Sequence, residues 1–231
     1  MLPYDKSKYD RLKFQFQDAK KIKKNFSQSY QDMFVLTMLN GKKKGTFLDI
    51  GAHEPMFISN TYLLEKQFKW NGIAVDMEDA FVKGYKKYRK CTFVLGDALA
   101  LDYPKLFEQK GFGSQIDYLS IDIEPKTQTL ACLKKLPWDK YRFSVITYET
   151  DYYDASEGRE TSERVRKESR EFLLGLGYEL VVGNIANTGP NDIFEDWYVD
   201  PKMVDPAILA IMKYPGDFSD ASEKYMLKAA A

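Results

Sequence analysis

The chain has 231 residues, 44% of them hydrophobic and 29% charged, which is typical of one globular domain with a modest appendage. Its 34 basic and 34 acidic side chains cancel, so the positive charge that marks a general nucleic-acid-binding protein is absent. Cys91 and Cys132 fit no metal or redox spacing, and no signal peptide or membrane-spanning run is visible. We therefore expect a cytoplasmic protein with reduced thiols that does not bind membranes.

The first 44 residues predict a helical extension packed on the main domain. Residues 5–24 are polar and rich in lysine, and their apolar side chains recur at roughly helical spacing, which favours an amphipathic surface helix. These apolar positions are Tyr9, Leu12, Phe16 and Ile22. A second helix is predicted over residues 33–39, closed by Asn40 and Gly41. We assign residues 1–44 to the extension, 45–205 to the main domain and 206–231 to a C-terminal helical tail.

The main domain alternates between predicted strands and helices. Five strands are predicted, at residues 46–50, 72–76, 92–95, 116–123 and 143–149. Helices are predicted between and after them, at residues 60–68, 80–88, 103–110, 127–136 and 162–176. Two further strands, 178–184 and 193–199, flank a turn rich in Gly, Pro and Asn and indicate an antiparallel hairpin at the sheet edge. The pattern predicts an α/β fold with a doubly wound, mostly parallel sheet.

Gly51 ends the first predicted strand, at the place where an open α/β sheet binds its ligand. A nicotinamide or flavin fold would show three spaced glycines there to admit a pyrophosphate, whereas Ala52, His53 and Glu54 follow. A diphosphate beside Glu54 would be disfavoured, because both groups are negatively charged. A ligand with a cationic centre, an amino acid moiety and an adenosine fits better, which favours S-adenosylmethionine.

Acids stand at four successive strand ends, where such a cofactor needs them. Asp49 can hold an amino group or order a water, and Asp76 can accept from both ribose hydroxyls. Asp97 can accept from the adenine amine while the Ala98 amide donates to a ring nitrogen, and Asp122 lies nearest the transferable methyl. Each acid alone is equally well explained as a helix cap or a surface carboxylate. We predict that the cofactor contacts Asp49, Gly51, Ala52, Asp76, Met77, Asp97 and Ala98.

An ordered set of short segments between residues 27 and 201 carries a family resemblance. The segments are SQ and QD within 27–32, GTFLDIGA at 45–52, SNT and LE within 59–65, WNGIAVD at 70–76, IDYLSIDIE at 116–124, GYEL at 177–180 and EDWYV at 195–199. The chain resembles the FkbM-type methyltransferases, within the class I fold that depends on S-adenosylmethionine. The resemblance implies a Rossmann-like fold, a cofactor-binding methyltransferase domain at residues 45–205 and O-methylation of sugar, glycan or natural-product hydroxyls, with S-adenosylhomocysteine as product.

The chain departs from that family at two positions. Asp76 stands where the family more often has Glu, and one methylene less should still let it reach the ribose. Glu124-Pro125 replaces the usual Glu-Gly, and because Pro125 lacks an amide donor, the acceptor pocket is expected to differ.

Three side chains are candidates to deprotonate an acceptor hydroxyl: His53, Asp122 and Glu124. His53 could equally be a loop residue that caps backbone groups, and Asp122 could merely shape the methyl pocket. Some class I O-methyltransferases hold a divalent metal near the ends of strands four and five. Four carboxylates near these strand ends could supply oxygen ligands to Mg²⁺: Asp122, Glu124, Glu149 and Asp151. No fixed spacing compels a metal, and we do not favour one.

Other functions stay open at this level. The chain could bind the cofactor without catalysing transfer, or it could methylate nucleic acid through the lysine-rich segment 20–24, which the neutral total charge disfavours. The expected partner is a small-molecule or glycan acceptor, and the sequence leaves a homo-oligomer open. Aromatic residues 148, 152, 153 and 197 fall near the predicted mouth of the crevice, where they could stack on an acceptor or pack in the core.

Overall fold

The computed structural model describes residues 6–229, which form one eight-stranded sheet in the order β3-β2-β1-β4-β5-β7-β6-β8. The strands are β1 Thr46–Ile50, β2 Asn71–Asp76, β3 Thr92–Leu95, β4 Gln115–Ile121, β5 Arg142–Glu149, β6 Glu179–Ala186, β7 Ile193–Val199 and β8 Asp217–Ala221. Strands β1 to β5 are parallel, and β7 pairs antiparallel with both β5 and β6. The predicted α/β fold, mostly parallel with a C-terminal antiparallel hairpin, is confirmed.

Eight α-helices connect or flank these strands within the described part of the chain. They are α1 Gln31–Met38, α2 Tyr62–Phe68, α3 Val82–Tyr88, α4 Tyr103–Gln109, α5 Lys126–Lys135, α6 Arg159–Gly175, α7 Pro206–Met212 and α8 Ser222–Met226. Helix α1 ends as predicted, because Asn40 and Gly41 adopt the left-handed conformation and the Gly41 amide donates to Leu36. No helix within residues 6–229 has both the length and the apolar composition needed to cross a membrane.

The sheet separates two hydrophobic layers, because alternate residues of a strand face opposite sides. Phe47, Tyr118 and Val145 lie in one layer, with α1, α2, α7 and α8. Their sequence neighbours Leu48, Leu119 and Ile146 lie in the other layer, with α4, α5 and α6. The core therefore has helices on both faces of the sheet, which leaves the carboxyl ends of β1 to β4 as an open edge.

The single amphipathic helix predicted over residues 5–24 is wrong. Asp5 lies outside the described residues, and the remainder forms two short 3₁₀ helices, Lys6–Arg11 and Ala19–Lys21. Tertiary contacts override the helical pattern here: Leu12 pairs with Leu227, and the Lys13 amide donates to the Met226 carbonyl at 3.0 Å. The predicted apolar positions are nevertheless buried and join the first layer.

The C-terminal tail differs from the all-helical prediction. Besides α7 and α8 it contains β8, which pairs parallel with β6, so the predicted hairpin does not form the edge of the sheet. Residues 230 and 231 lie outside the described part. Side chains from the N-terminal extension and from the C-terminal tail pack in the first layer, for example Phe16 and Met226. The division of the chain at residues 44 and 205 stays a prediction.

Candidate functional site

The site forms where the backbone at Gly51 passes very close to the backbone at Asp122. Gly51 follows β1 with φ of 75°, and a Cβ atom there would lie 1.5 Å from the Asp122 carbonyl oxygen. The Asp122 amide donates to the Ile50 carbonyl, while the amides of Gly51 and Ala52 both donate to Val75, each at 3.0 Å. The ends of β1, β2 and β4 therefore meet in a space that only glycine fits.

A cavity of about 610 Å³ opens beside this crossing, at the carboxyl ends of the parallel strands. The predicted residues that line it are Gly51, His53, Asp76, Met77, Asp97, Ala98, Asp122 and Glu124. The other two predicted cofactor residues, Asp49 and Ala52, line a small adjoining cavity of about 40 Å³ that shares Gly51, His53 and Asp122 with the first. The structure therefore brings the predicted residues to one edge of the sheet.

Asp76 joins two loops of the large cavity. Its Oδ2 accepts from the His53 amide at 2.7 Å, and its Oδ1 accepts from the Glu78 amide at 2.9 Å. A carboxylate has about four acceptor sites, so the free lone pairs can still accept from two hydroxyls of a ligand. Asp76 thus holds the two loops together through its hydrogen bonds and can still accept hydrogen bonds from a ligand.

The end of β3 supplies the opposite wall of the large cavity. The Leu99 amide donates to Asp97 Oδ1 at 2.8 Å, which orients the exposed carboxylate. Ala98 is buried beside it, whereas the Met77 side chain is 73% exposed. An exposed thioether at a cavity rim offers a flexible apolar contact for a flat ring.

Asp49 lies beneath the cavity instead of in it. The carboxylate is buried and accepts from the Thr61 hydroxyl at 2.7 Å, and Arg89 donates to the same hydroxyl at 2.9 Å. Burial raises the pKa of Asp49, although Thr61 and Arg89 oppose that shift. Strand alternation explains the position, because Asp49 shares a face with Phe47 and therefore points toward the layer that contains α2.

The three predicted catalytic residues have different surroundings. His53 is exposed, with φ of 49°, and its ring packs on Phe81 at 4.7 Å between centroids. Glu124 is also exposed and precedes a cis bond to Pro125 at the start of α5. Asp122 is half-buried, and burial raises its pKa, as does the negative charge of Glu124.

Two further acids approach Asp122 from the end of β5. Asp122, Glu149 and Asp151 each place one carboxylate oxygen within 4.8 Å of an oxygen of the other two. Burial, followed by the negative charge of Asp122, raises the pKa of Glu149 well above its ordinary value. This acidic cluster also lines the large cavity, through Asp122 and Glu149.

A second large cavity, of about 480 Å³, adjoins the first at the exposed Ile58. The extension, the loop after β1, Asn187 and the start of α8 form its walls. They mix polar and aromatic side chains such as Asn25, Phe26 and Phe57. Gln28 lines both this cavity and the small one, where Asn60 and Gln31 complete the wall. No role was predicted for these three amide side chains. Only their position in the sequence could have indicated a role, since all three lie in segments that carry the family resemblance.

Two of the four aromatic residues predicted near the crevice mouth are core residues. Tyr148 and Trp197 are fully buried, and Trp197 packs on Phe34 with ring centroids 4.5 Å apart. The Tyr152 ring instead lies under the Arg166 guanidinium at 3.7 Å, and Tyr153 is exposed.

No protein-family model and no curated protein sequence matches the chain. Among solved structures, a candidate rRNA methylase from Clostridium thermocellum aligns with a TM-score of 0.50 at 13% identity, over 77% of this chain and 99% of that one. A DUF574 family protein from Streptomyces avermitilis aligns with a TM-score of 0.49 at 12% identity, over 74% and 81% of the two chains. A SAM-dependent methyltransferase from Archaeoglobus fulgidus aligns with a TM-score of 0.37 at 18% identity, over 64% and 69%.

The chain has a Rossmann-like methyltransferase fold. At 13% identity the likeness shows the fold alone, and the resemblance to the FkbM-type family stays a prediction.

Proposed function

We propose that the protein is an S-adenosylmethionine-dependent O-methyltransferase that acts on a hydroxyl of a sugar, a glycan or a small natural product. The observation that carries this proposal is the cavity of about 610 Å³ at the carboxyl ends of the strands, lined by Asp76, Asp97 and Asp122. Its volume falls within the range of roughly 300–1,000 Å³ that ligand pockets occupy. Acids around the cavity favour a ligand that carries positive charge, as the sulfonium and ammonium groups of this cofactor do.

The contacts follow from the groups that remain available. Asp76 would accept from the ribose hydroxyls while still holding the amides of His53 and Glu78. Asp97 and the Ala98 amide would bind the adenine edge, and Met77 would cover its face. Gly51 and Ala52 would admit the methionine part, while Asp49 lies too deep to replace them and would order a water or support the loop.

The acceptor would enter from the second cavity. That cavity meets the first at Ile58, near the small cavity where Asp122 and His53 lie. A hydroxyl is a weak nucleophile while protonated, so a positioned base contributes about 10²–10⁴-fold to the rate. His53 is the exposed candidate and Asp122 the half-buried one. Their order of importance is tested by comparing His53→Ala with Asp122→Asn on one acceptor.

Calorimetric titration with S-adenosylmethionine and with S-adenosylhomocysteine tests the cofactor assignment. We expect saturable binding of one molecule per chain, and the absence of heat with folded protein would contradict the proposal. A panel of sugars and phenols, scored by transfer of a labelled methyl group, then tests the reaction. Binding without turnover on any acceptor would favour a non-catalytic module. A nucleic-acid methyltransferase would instead show affinity for RNA or DNA that falls steeply with salt.

A further inference from the structure

The second cavity differs in charge from the large cavity that it adjoins. Five acidic side chains and His53 line the large cavity, whereas two lysines and one glutamate line the second. Lys8 and Glu223 form an ion pair with Nζ and Oε2 2.6 Å apart, so their charges cancel. The other lysine, Lys24, therefore gives the second cavity a net positive charge. An anionic group of a ligand would be repelled from the large cavity and attracted to the second.

Lys24 is free to bind such a group. Its side chain is exposed, and its ammonium nitrogen lies 5.2 Å from the centroid of the Phe26 ring. No carboxylate pairs with it within residues 6–229. A contact with an aromatic ring positions an ammonium group but adds no opposite charge. Lys24 therefore keeps its charge available to a ligand at the cavity wall.

Two amide side chains add hydrogen-bond donors to the same wall. Asn25 Oδ1 accepts from the Tyr9 hydroxyl at 2.7 Å, and Asn187 Oδ1 accepts from the Ser29 hydroxyl at 3.1 Å. Each amide thus uses its oxygen inside the protein, while its NH₂ group has no acceptor among the described residues. Amide NH₂ groups and an ammonium group donate to ionised phosphate and carboxylate oxygens, which accept. The wall is therefore suited to a ligand that is rich in acceptors.

We propose that the second cavity binds a methyl acceptor that carries an anionic group, a phosphate or a carboxylate, and that Lys24 recognises its charge. This inference rests on the proposed function and narrows the class of acceptor. The volume of about 480 Å³ suits a sugar-sized molecule. Phe57, whose side chain is 67% exposed, offers an apolar face to the ring of the acceptor. Because the cavities meet at Ile58, the reacting hydroxyl can approach the cofactor while the anionic group stays away from the acids.

A nucleic acid is the competing anionic ligand. A chain of phosphates binds through several free cations, each of which releases a counterion. Three lysines of the extension are instead paired with acids: Lys21 and Lys43 with Asp18, and Lys42 with Asp117. One unpaired ammonium group in a concave cavity fits a single anionic group better than a polymer.

Nuclear magnetic resonance of isotope-labelled protein, titrated at fixed ionic strength without cofactor, tests the site. Three probes are compared: α-D-glucosyl phosphate carries a phosphate, glucuronate carries a carboxylate, and glucose carries neither. We expect at least one of the two anions to shift the backbone amides of Asn25 and Asn187 saturably, and the anion that does so identifies the group. Glucose should bind about fivefold more weakly or less.

Two lysine variants separate recognition at the cavity from general attraction to a basic surface. Lys24→Gln should weaken binding of the anion by about fivefold or more and leave glucose unchanged. Lys23→Gln is the matched control, because it removes the same charge from an exposed neighbour that does not line the cavity. It should bind as the parent protein does.

Several results would overturn the proposal. They are equal affinity for glucose and the anions, no shift with either anion at millimolar concentration, and equal losses in Lys24→Gln and Lys23→Gln. An RNA fragment that binds more tightly than either anion, with an affinity that falls steeply with salt, would also overturn it in favour of a nucleic-acid ligand.

Methyl transfer is measured separately, so the two proposals fail in different ways. With an anionic acceptor, Lys24→Gln should raise KM more than it lowers kcat, because Lys24 does not line the large cavity where the cofactor would bind. Anion binding at the second cavity without any methyl transfer would contradict the proposed function alone. Transfer that is equally efficient to neutral and anionic acceptors would contradict only the inference about charge.

Discussion

Replacement of Gly51 by Ala is the most direct perturbation of the crossing on which the site is built. The new Cβ would lie 1.5 Å from the Asp122 carbonyl oxygen, about half the closest normal contact, in a residue with φ of 75°. The left-handed conformation costs about 1–2 kcal/mol for alanine, and forced displacement of a packed neighbour about 1–3 kcal/mol. Together we expect a loss of about 2–5 kcal/mol in the free energy of unfolding.

Urea unfolding measures that loss, and calorimetry on the folded fraction measures cofactor affinity, which should fall because β1 and β4 must separate. Gly96→Ala is the matched control. It alters the same cavity, but its nearest neighbour is the Leu101 side chain at 3.8 Å, and its φ is not positive. The control should unfold close to the parent midpoint. Equal midpoints and equal affinities for Gly51→Ala and the parent would refute the reasoning.

Three more changes have defined outcomes. Asp76→Ala should weaken cofactor binding by about 1–3 kcal/mol, because the variant loses both the acceptor for the ribose hydroxyls and the hydrogen bond from the His53 amide. Calorimetry measures this loss, and an unchanged affinity would mean that the ribose does not bind at Asp76. Trp197→Ala should destabilise the fold by about 3–5 kcal/mol without changing the affinity per folded molecule, measured by urea unfolding and titration. Glu65→Gln should lower the free energy of unfolding more at pH 7 than at pH 4.

Much of the sheet could be predicted because buried parallel strands are continuous apolar runs bounded by turn residues. Strands β1, at Thr46–Ile50, and β3, at Thr92–Leu95, begin and end as predicted. The N-terminal segment could not be predicted in this way. The spacing of Leu12 and Phe16 reflects contacts with distant parts of the chain, and periodicity alone cannot separate such contacts from a helix. Strand β8 escaped prediction because Asp217, Ser219 and Asp220 carry no apolar alternation.

The candidate site also has one part that the sequence predicts and another that depends on tertiary contacts. Topology brings strand ends together, so acids at those ends could be expected to meet at one edge. What each acid does there depends on side-chain direction and on hydrogen bonds made by residues far away in sequence. The Thr61 hydroxyl donates to Asp49, and two backbone amides donate to Asp76. The Asp151 carboxylate accepts no hydrogen bond within the described residues. The sequence therefore locates the acids without distinguishing structural acids from those available to a ligand.

A buried ion pair between Glu65 and Arg89 supports the wall of the site. Glu65 Oε2 accepts from Arg89 Nε at 3.0 Å, and both side chains are buried. Arg89 also donates to the Pro55 carbonyl at 3.0 Å and to the Ser59 hydroxyl at 3.2 Å, so the pair holds the loop that carries His53. Loss of one partner of such a pair costs about 3–5 kcal/mol, because the other charge stays buried.

The sign of its pH dependence follows from the pKa of Glu65. Burial acts to raise this pKa, but Arg89 and the backbone amides of Lys90 and Cys91 outweigh it, so the pKa lies below the ordinary value of 4.5. The pair therefore stabilises the fold above pH 4.5, and that contribution declines as the pH falls through the lowered pKa. Urea unfolding of Glu65→Gln and the parent should differ most near neutral pH and least in acid. Because the glutamine cannot hold Arg89 as firmly, cofactor affinity should fall with stability at pH 7. A difference independent of pH would mean that Glu65 acts through packing alone.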